Sequence, residues 1–287
     1  VDDIRSKDKI ALPANRLDPA TYANMESKSQ YLPIPLVYGD FQTSAGGGEK
    51  LPAYQIDSTA GTGGKFKIAS HALKSIQKVW NDTTDITSNC SLDAANGEFT
   101  ITTGTYDTAA NTVTVNVQGA TDNGTTGGTL LQSLPDILDD VLQTHMSVAS
   151  GNIDSTAFAA WEAELGTGDY GRRWIGAEVS SDDLIRDLLL EGFADITIED
   201  GKYKPVYRIV NAASGSDAYL SAHIRERGDT TKDFTVQRDP ERIFANEIVG
   251  DYRYDPAGSA YAVTYAKKNA ASIANLGTTK RRRMQFS

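Results

Sequence analysis

The spacing of apolar residues changes near residue 129, and this change constrains the fold more than any other feature. Between residues 65 and 119 apolar side chains mostly alternate with polar ones, most clearly at Val113, Val115 and Val117. From residue 129 they recur every three or four positions. Alternation is typical of strands with one solvated face, whereas the longer period is typical of helices. We therefore predict an α+β, β-rich fold, with several small antiparallel β-modules and a few short amphipathic helices.

Two prolines constrain the segment before the alternating region. Pro33 and Pro35 stand at alternate positions, and Gly39 follows shortly after them. Each proline removes an amide donor, so the segment is neither a helix nor a central strand. We expect an extended segment that lies at a sheet edge or threads between units and turns at Gly39. Residues 1–30 are polar and weakly periodic, which favours an extended arm that depends on a partner for order.

Turn residues divide the alternating region into short strands. A short strand is predicted for Leu51–Asp57, between glycine-rich stretches at 45–48 and 61–64. The segment 73–80 fits either a helix or a strand, and the strand is favoured because Asn81-Asp82 follows as a turn. Residues 41–128 are thus interpreted as a small β-domain with glycine-rich loops.

Three helices are predicted after that domain. The first contains Leu134 and Leu138 on one face, and Ser133 with Asp136 resembles a capping box at its start. The second covers about Ser155–Leu165, and the third begins at Ser180 or Ser181. We assign 129–170 to a helical connector.

The last domain, 171–287, contains the third helix and continues in strands. The turn Asp200-Gly201 between alternating runs at 194–198 and 203–209 indicates a β-hairpin. Further strands are expected at 234–236, 243–254, 261–265 and from Lys280, with a turn at 255–259 and a short helix at 270–276. Because a strand begins so near Ser287, we expect this α/β domain to be truncated. The four predicted segments are thus 1–40, 41–128, 129–170 and 171–287.

Charge and cysteine content exclude several classes of partner. The 287 residues carry a net charge of −10, and Cys90 is the only cysteine. An acidic chain repels nucleic acid and anionic lipid, and one cysteine forms neither an intrachain disulfide nor a cysteine-based zinc site. No apolar run approaches the ~18 residues that a membrane-spanning helix needs. We expect no nucleic-acid partner and no stable membrane insertion.

No catalytic motif is recognisable. His71, His145 and His223 lie outside zinc-protease and hydrolase motifs, and surface or capping roles are favoured. The pair Gly64-Lys65 precedes phenylalanine, so the hydroxyl of a phosphate-binding loop is missing and hairpin turns are favoured there. Other polar groups have ordinary explanations: Glu162 with Glu164, Asp182 with Asp183, and the loop 122–124. We therefore predict no enzyme activity, no catalytic, cofactor-binding or metal-binding residue, and no cofactor.

Two surface features leave alternatives open. Of the three tryptophans, Trp161 and Trp174 fall on core faces, so Trp80 is the candidate for an exposed ring that stacks on a sugar. This supports an alternative function as a carbohydrate- or receptor-binding β-module of a phage or cell-surface appendage. For the basic run Lys280–Arg283, an edge strand guarded by charge or a salt-bridged subunit interface is favoured over nucleic-acid contact.

Two stretches resemble the tail-tip and baseplate hub proteins of long-tailed bacteriophages. Residues 32–39, LPIPLVYG, resemble a signature of that family, and the pattern at 67–71 and 76–80 resembles the domain that follows it there. The stretch from Arg172 to Phe286 resembles the family in the order of its elements. These are a strand at 174–176, a helix at 183–192 and a hairpin at 195–207. Segments at 233–240, 245–249, 252–254 and 271–277 then follow in the same order as in the family.

The resemblance implies a structural virion protein. Such a subunit is usually a homotrimer that forms a ring, closes the tail tube at the tape-measure end and anchors fibres or a central spike. Expected neighbours are the distal tail or tube protein, the tape measure and the fibres or spike. The expected location is the virion tail tip or baseplate, assembled in the host cytoplasm.

Overall fold

The computed structural model describes residues 10–42, 49–104, 112–166, 171–207, 247–255, 260–270, 273–274, 279 and 281–285. Within these ranges the chain falls into two units, the first holding residues 10–207 with 252–263 and the second residues 247–251 with 264–285. The sheets are small and mostly antiparallel, and the helices are short. The predicted α+β, β-rich fold class is confirmed.

The helices and strands follow one another in many short elements. The strands are β1 Ala11–Leu12, β2 Leu36–Tyr38, β3 Leu51–Pro52, β4 Tyr54–Asp57, β5 Gly64–Lys67, β6 Ser75–Asn81, β7 Thr84–Asp85, β8 Cys90–Asp93, β9 Glu98–Ile101, β10 Val113–Gln118, β11 Arg173–Ile175, β12 Val179–Ser180, β13 Ala194–Glu199, β14 Lys202–Tyr207, β15 Glu247–Asp255, β16 Ala260–Lys268 and β17 Arg281–Gln285. The α-helices are α1 Leu134–Asp140, α2 Ser155–Leu165 and α3 Ser181–Glu191, and a π-helical turn, Val141–His145, continues α1.

Two four-stranded sheets enclose the first hydrophobic core. One sheet has the order β3-β10-β6-β7 and the other β4-β5-β9-β8. Their apolar side chains form one buried cluster, in which the rings of Phe66 and Phe99 stack at 5.0 Å between centroids. The strand predicted at 73–80 is confirmed by β6.

Two details of this region differ from the prediction. The single strand expected over Leu51–Asp57 is wrong, because the chain leaves one sheet after Pro52 and enters the other at Tyr54. The solvated face expected on β10 is also wrong, since Thr114 and Asn116 are buried. Asn116 donates hydrogen bonds to the carbonyl oxygens of Phe41 and Glu49, which cover that face.

The second core surrounds the helices. It contains buried side chains from α1, α2, α3 and β14, so the segments predicted as a connector and as the start of the last domain share one core. Each helix begins at an N-cap whose side chain accepts an amide hydrogen: Ser133, Asp154 and Ser180. The helix starts and the hairpin β13–β14 agree with the sequence prediction.

Strand β2, which follows Pro33 and Pro35, lies between the two cores, one of the two positions expected for this extended segment. It pairs with β11, with Leu36 opposite Ile175 and Tyr38 opposite Arg173. Val37 belongs to the sandwich core, whereas Leu36 and Tyr38 belong to the helical core. The turn at Gly39 has a φ of 82°, the left-handed conformation that glycine adopts most easily.

Residues 10–30 differ from the expected partner-dependent arm. Leu12, Leu17 and Met25 are buried against their own chain, and β1 pairs with β12. Contacts within the chain therefore order this segment from residue 10 onward.

Charged side chains join the strands of the second unit. Strand β17 pairs in parallel with β15 at the edge of the sheet β16-β15-β17. Arg281 and Arg283 bond to Glu247 and Asp251 on β15, both at 1% or less of side-chain exposure. The strand expected at 234–236 and the turn at 256–259 lie outside the described residues, and residues 270 and 273–274 are helical as predicted. Within the ranges given above, no helix combines the length and apolar character needed to cross a bilayer.

Candidate functional site

A polar cluster surrounds β2 where it passes between the cores, and we call Tyr38, His71, Asp140 and His145 the β2 cluster. The Tyr38 hydroxyl donates to Oδ2 of Asp140 at 2.6 Å and lies 3.0 Å from Nε2 of His145. An ionised carboxylate only accepts hydrogen bonds, so tyrosine is the donor to Asp140. Its oxygen then accepts a hydrogen bond from His145, which fixes the proton of that imidazole on Nε2.

His71 binds β2 from the sandwich side. The backbone N–H of Val37 donates to Nε2 of His71 at 3.0 Å, and Nδ1 lies 2.9 Å from the carbonyl oxygen of Ala72. The nitrogen that accepts carries no proton, so the other nitrogen donates to Ala72. The ring also stacks on Tyr38, at 6.1 Å between centroids. The surface or capping role expected for His71 is therefore wrong, since its imidazole is a partner of the buried backbone.

The π-helical turn brings Asp140 and His145 together. In an α-helix, residues five apart lie about 140° apart around the axis, because each residue advances by about 100°. The wider turn closes with the amide of Met146 donating to the carbonyl of Val141, five residues back. As a result Asp140 Oδ2 and His145 Nε2 are 3.8 Å apart. Such turns often occur at functional sites.

Burial sets the protonation states of the β2 cluster. It raises the pKa of Tyr38 well above 10.0, and the neighbouring charge of Asp140 adds to this effect. It lowers the pKa of His71 and of His145 below 6.5, in each case against a smaller opposing effect of Asp140. At neutral pH the tyrosine is thus protonated and both imidazoles are neutral, as the hydrogen bonds require. In these states the cluster ties β2 to both cores.

An apolar face lies at the C-terminal end of α3, and we define it by Leu190, Phe193, Ile196 and Val206. These residues line a groove of about 700 Å³, together with Ala194, Asp195 and Thr197. Leu190 is 56%, Phe193 63% and Val206 47% exposed. Large apolar side chains that are contiguous and exposed mark contact surfaces for other molecules.

The packing of Trp161 explains why a phenylalanine is exposed there. Its ring is fully buried, and its indole N–H donates to the carbonyl oxygen of Gly192 at 3.0 Å. Gly192, which lies beneath the ring, has a φ of −82° and so does not adopt the left-handed conformation. The left-handed residue after the helix is instead Phe193, with a φ of 51°. A left-handed conformation is uncommon for a bulky residue, so the core turns Phe193 outward at a conformational cost.

The burial of the three tryptophans agrees only in part with the sequence prediction. Trp161 is buried and Trp174 packs against the sandwich core. Trp80 is partly buried, and its indole N–H donates to Asn116 at 2.6 Å. The ammonium groups of Lys50 and Lys78 lie 3.9 and 5.0 Å from its ring centroid. A sugar that stacked on this ring would have to displace Lys50.

The polar groups of the other candidate segments form hydrogen bonds and ion pairs within the chain. The stretch 61–64 joins β4 to β5 as a hairpin turn, and Lys65 pairs with Glu98 at 2.5 Å rather than facing an open loop. In the loop 122–124, Asp122 accepts from the amide of Thr129, and Asn123 accepts from Thr125. The stretch 45–48 and His223 lie outside the described residues. Where side chains are described, no three His, Cys, Asp or Glu residues are grouped to hold a metal ion.

The carboxylates and the basic run also have partners within the fold. Asp183 lies in the first turn of α3, where the Ser180 hydroxyl donates to it. The basic run lies on the edge strand β17, where Arg281 and Arg283 pair with carboxylates of β15. This agrees with an edge strand guarded by charge.

No protein-family model matches the chain, and no curated protein matches it with significant similarity. The β2 cluster and the apolar face are therefore interpreted from their own geometry. Sequence patterns indicated neither of them: the β2 cluster joins residues up to 107 positions apart, and the end of α3 that carries the apolar face is packed against Trp161.

Proposed function

We propose that this protein is a structural subunit of a phage tail tip or baseplate hub, which closes the tail tube and anchors fibres or a spike. The single observation that carries a role in assembly is the apolar face. Leu190 and Phe193 expose more than half of their surface beside a groove that other protein side chains could fill. Aromatic side chains such as that of Phe193 are enriched at the cores of protein interfaces.

The resemblance to hub proteins supports the place of this subunit within a virion. The segment that carries it, residues 32–39, is the one that threads between the two cores. The resemblance in residues 172–286 includes α3 and the hairpin β13–β14, which together form the apolar face. One of the two stretches that resemble hub proteins thus contains the apolar face.

Labelling of intact particles tests the location. Antibodies against the recombinant protein, followed by gold labelling and electron microscopy, should mark one end of the tail in particles purified from the host. Tail-less particles from the same lysate provide the control. Absence of the protein from purified virions would contradict the proposal.

Mass photometry tests the assembly. We expect species at three times the chain mass of 30.9 kDa. Phe193→Ser should shift the distribution towards monomers if the face is part of the subunit contact. Leu92→Ser is the matched control, because Leu92 is also exposed, at 40%, but lies on β8 away from the face. A wild-type protein that stays monomeric and is missing from virions would refute both parts.

A further inference from the structure

We propose that His71 is an acid-sensitive latch on strand β2, whose protonation releases the amide of Val37 and loosens β2 between the two cores. The argument begins with the hydrogen bond itself. Nε2 of His71 uses its lone pair to accept the Val37 N–H at 3.0 Å, while Nδ1 is held at 2.9 Å from the Ala72 carbonyl oxygen. A proton from solvent that adds to Nε2 turns this acceptor into a donor. Two N–H groups then face each other, so the bond to Val37 is lost.

The released amide lies in the interior. Val37 is 0% exposed, and His71 is the acceptor that the structure gives to its N–H. A buried amide that loses its partner destabilises the folded conformation, because it cannot recover a bond to water without movement. The strand must shift to hydrate it.

Burial and the neighbouring titratable groups decide how readily His71 takes up the proton. Asp140 favours the charged imidazole, whereas His145 and Lys67 oppose it. Asp140 is engaged by the Tyr38 hydroxyl, and Lys67 by Glu98 at 2.9 Å. Burial is the largest influence and lowers the pKa of His71 below 6.5. The folded form therefore resists protonation, and a form with β2 opened takes up the proton at about the ordinary pKa.

The sign and size of the effect follow from linkage. Because the folded pKa is lowered, the closed form is fully stable above about pH 6.5 and loses stability as the pH falls below it. The equilibrium constant for opening of β2 rises by up to tenfold for each pH unit below 6.5, until the pKa of His71 in the folded form is reached. At pH 5.0 the limit is an increase of about 30-fold.

Hydrogen exchange measured by mass spectrometry tests the latch in the full chain. After correction for the intrinsic rate, peptides containing Leu36–Tyr38 should exchange up to about 30-fold faster at pH 5.0 than at pH 7.5. His71→Gln keeps an acceptor near the position of Nε2 but does not titrate, so it should lose most of this increase. Strand β9 serves as the internal reference for global opening. An equal response of the wild type and His71→Gln would overturn the proposal.

A second measurement needs no variant. Long-range ¹⁵N–¹H NMR of the wild-type imidazoles reports which ring nitrogen carries the proton. At pH 7.5 we expect His71 to be neutral with the proton on Nδ1, and His145 to carry its proton on Nε2. A His71 proton on Nε2 at this pH would remove the basis of the latch.

Discussion

Gly192 tests how tightly the end of α3 is packed against the second core. A Cβ at this position would lie 2.3 Å from Cζ2 of Trp161, and the indole is fully buried. The φ of −82° is open to any residue, so Gly192→Ala adds a steric conflict without backbone strain. Overpacking of this kind costs about 1–3 kcal/mol. Displacing the ring also threatens its hydrogen bond to the Gly192 carbonyl, which contributes about 1 kcal/mol.

One opposing effect has to be subtracted. Replacing glycine by alanine restricts the unfolded chain and stabilises the fold by about 0.4–1 kcal/mol. The expected net loss for Gly192→Ala is therefore about 1–3.6 kcal/mol. Gly151→Ala is the matched control, because a Cβ there would have nothing within 4 Å, so only the favourable effect remains.

Urea denaturation followed by tryptophan fluorescence measures both variants. All three tryptophans lie in the first unit, so the fluorescence reports its unfolding. We expect a lower midpoint for Gly192→Ala and an unchanged or higher midpoint for Gly151→Ala. Equal midpoints for the two variants would refute the packing argument.

Three further substitutions test the cluster, a helix cap and the second unit. Tyr38→Phe leaves two polar partners without the hydroxyl and should cost about 1–2 kcal/mol in urea denaturation, while Tyr31→Phe, at a residue 65% exposed, should cost almost nothing. Ser180→Ala removes the N-cap of α3 and should cost about 1 kcal/mol, seen as a lower midpoint in the same assay; an unchanged midpoint would contradict the capping role. Hydrogen bonds from Arg283, and then from Thr264, lower the pKa of Asp251 from 3.8 to about 2. Its stabilising contribution is thus present above pH 3.8 and is lost towards pH 2, and in Arg283→Gln an NMR titration should find the pKa closer to 3.8.

Local patterns predicted the elements that depend on neighbouring residues. Asp200-Gly201 indicated the hairpin β13–β14, and Ser133 indicated the start of α1, because both act within four positions of the chain. The fold class followed from the two spacings of apolar residues. The prolines indicated an extended segment, at a sheet edge or between units, and β2 is extended between the two cores.

The candidate site could not be predicted in the same way. Tyr38 and His145 are 107 positions apart, and no local pattern relates them. The π-helical turn that aligns His145 with Asp140 leaves the apolar spacing of the sequence unchanged. Thr114 and Asn116 looked like a solvated face, since alternation does not reveal that another segment covers it. Such contacts are decided by long-range packing, which one sequence does not show.

The position of β2 has a consequence for synthesis on the ribosome. Arg172 binds the carbonyl oxygen of Asp40 across a separation of 132 positions, and β11 pairs with β2 over a similar span. At an elongation rate of about 5–20 residues per second, roughly 7–26 s pass before β2 can meet this partner. Until then the strand can pack against the sandwich and against α1 and α2, but the core around Leu36 and Tyr38 still lacks β11, α3 and β14. We therefore expect nascent chains stopped before residue 173 to protect Leu36 and Tyr38 less than the full chain does.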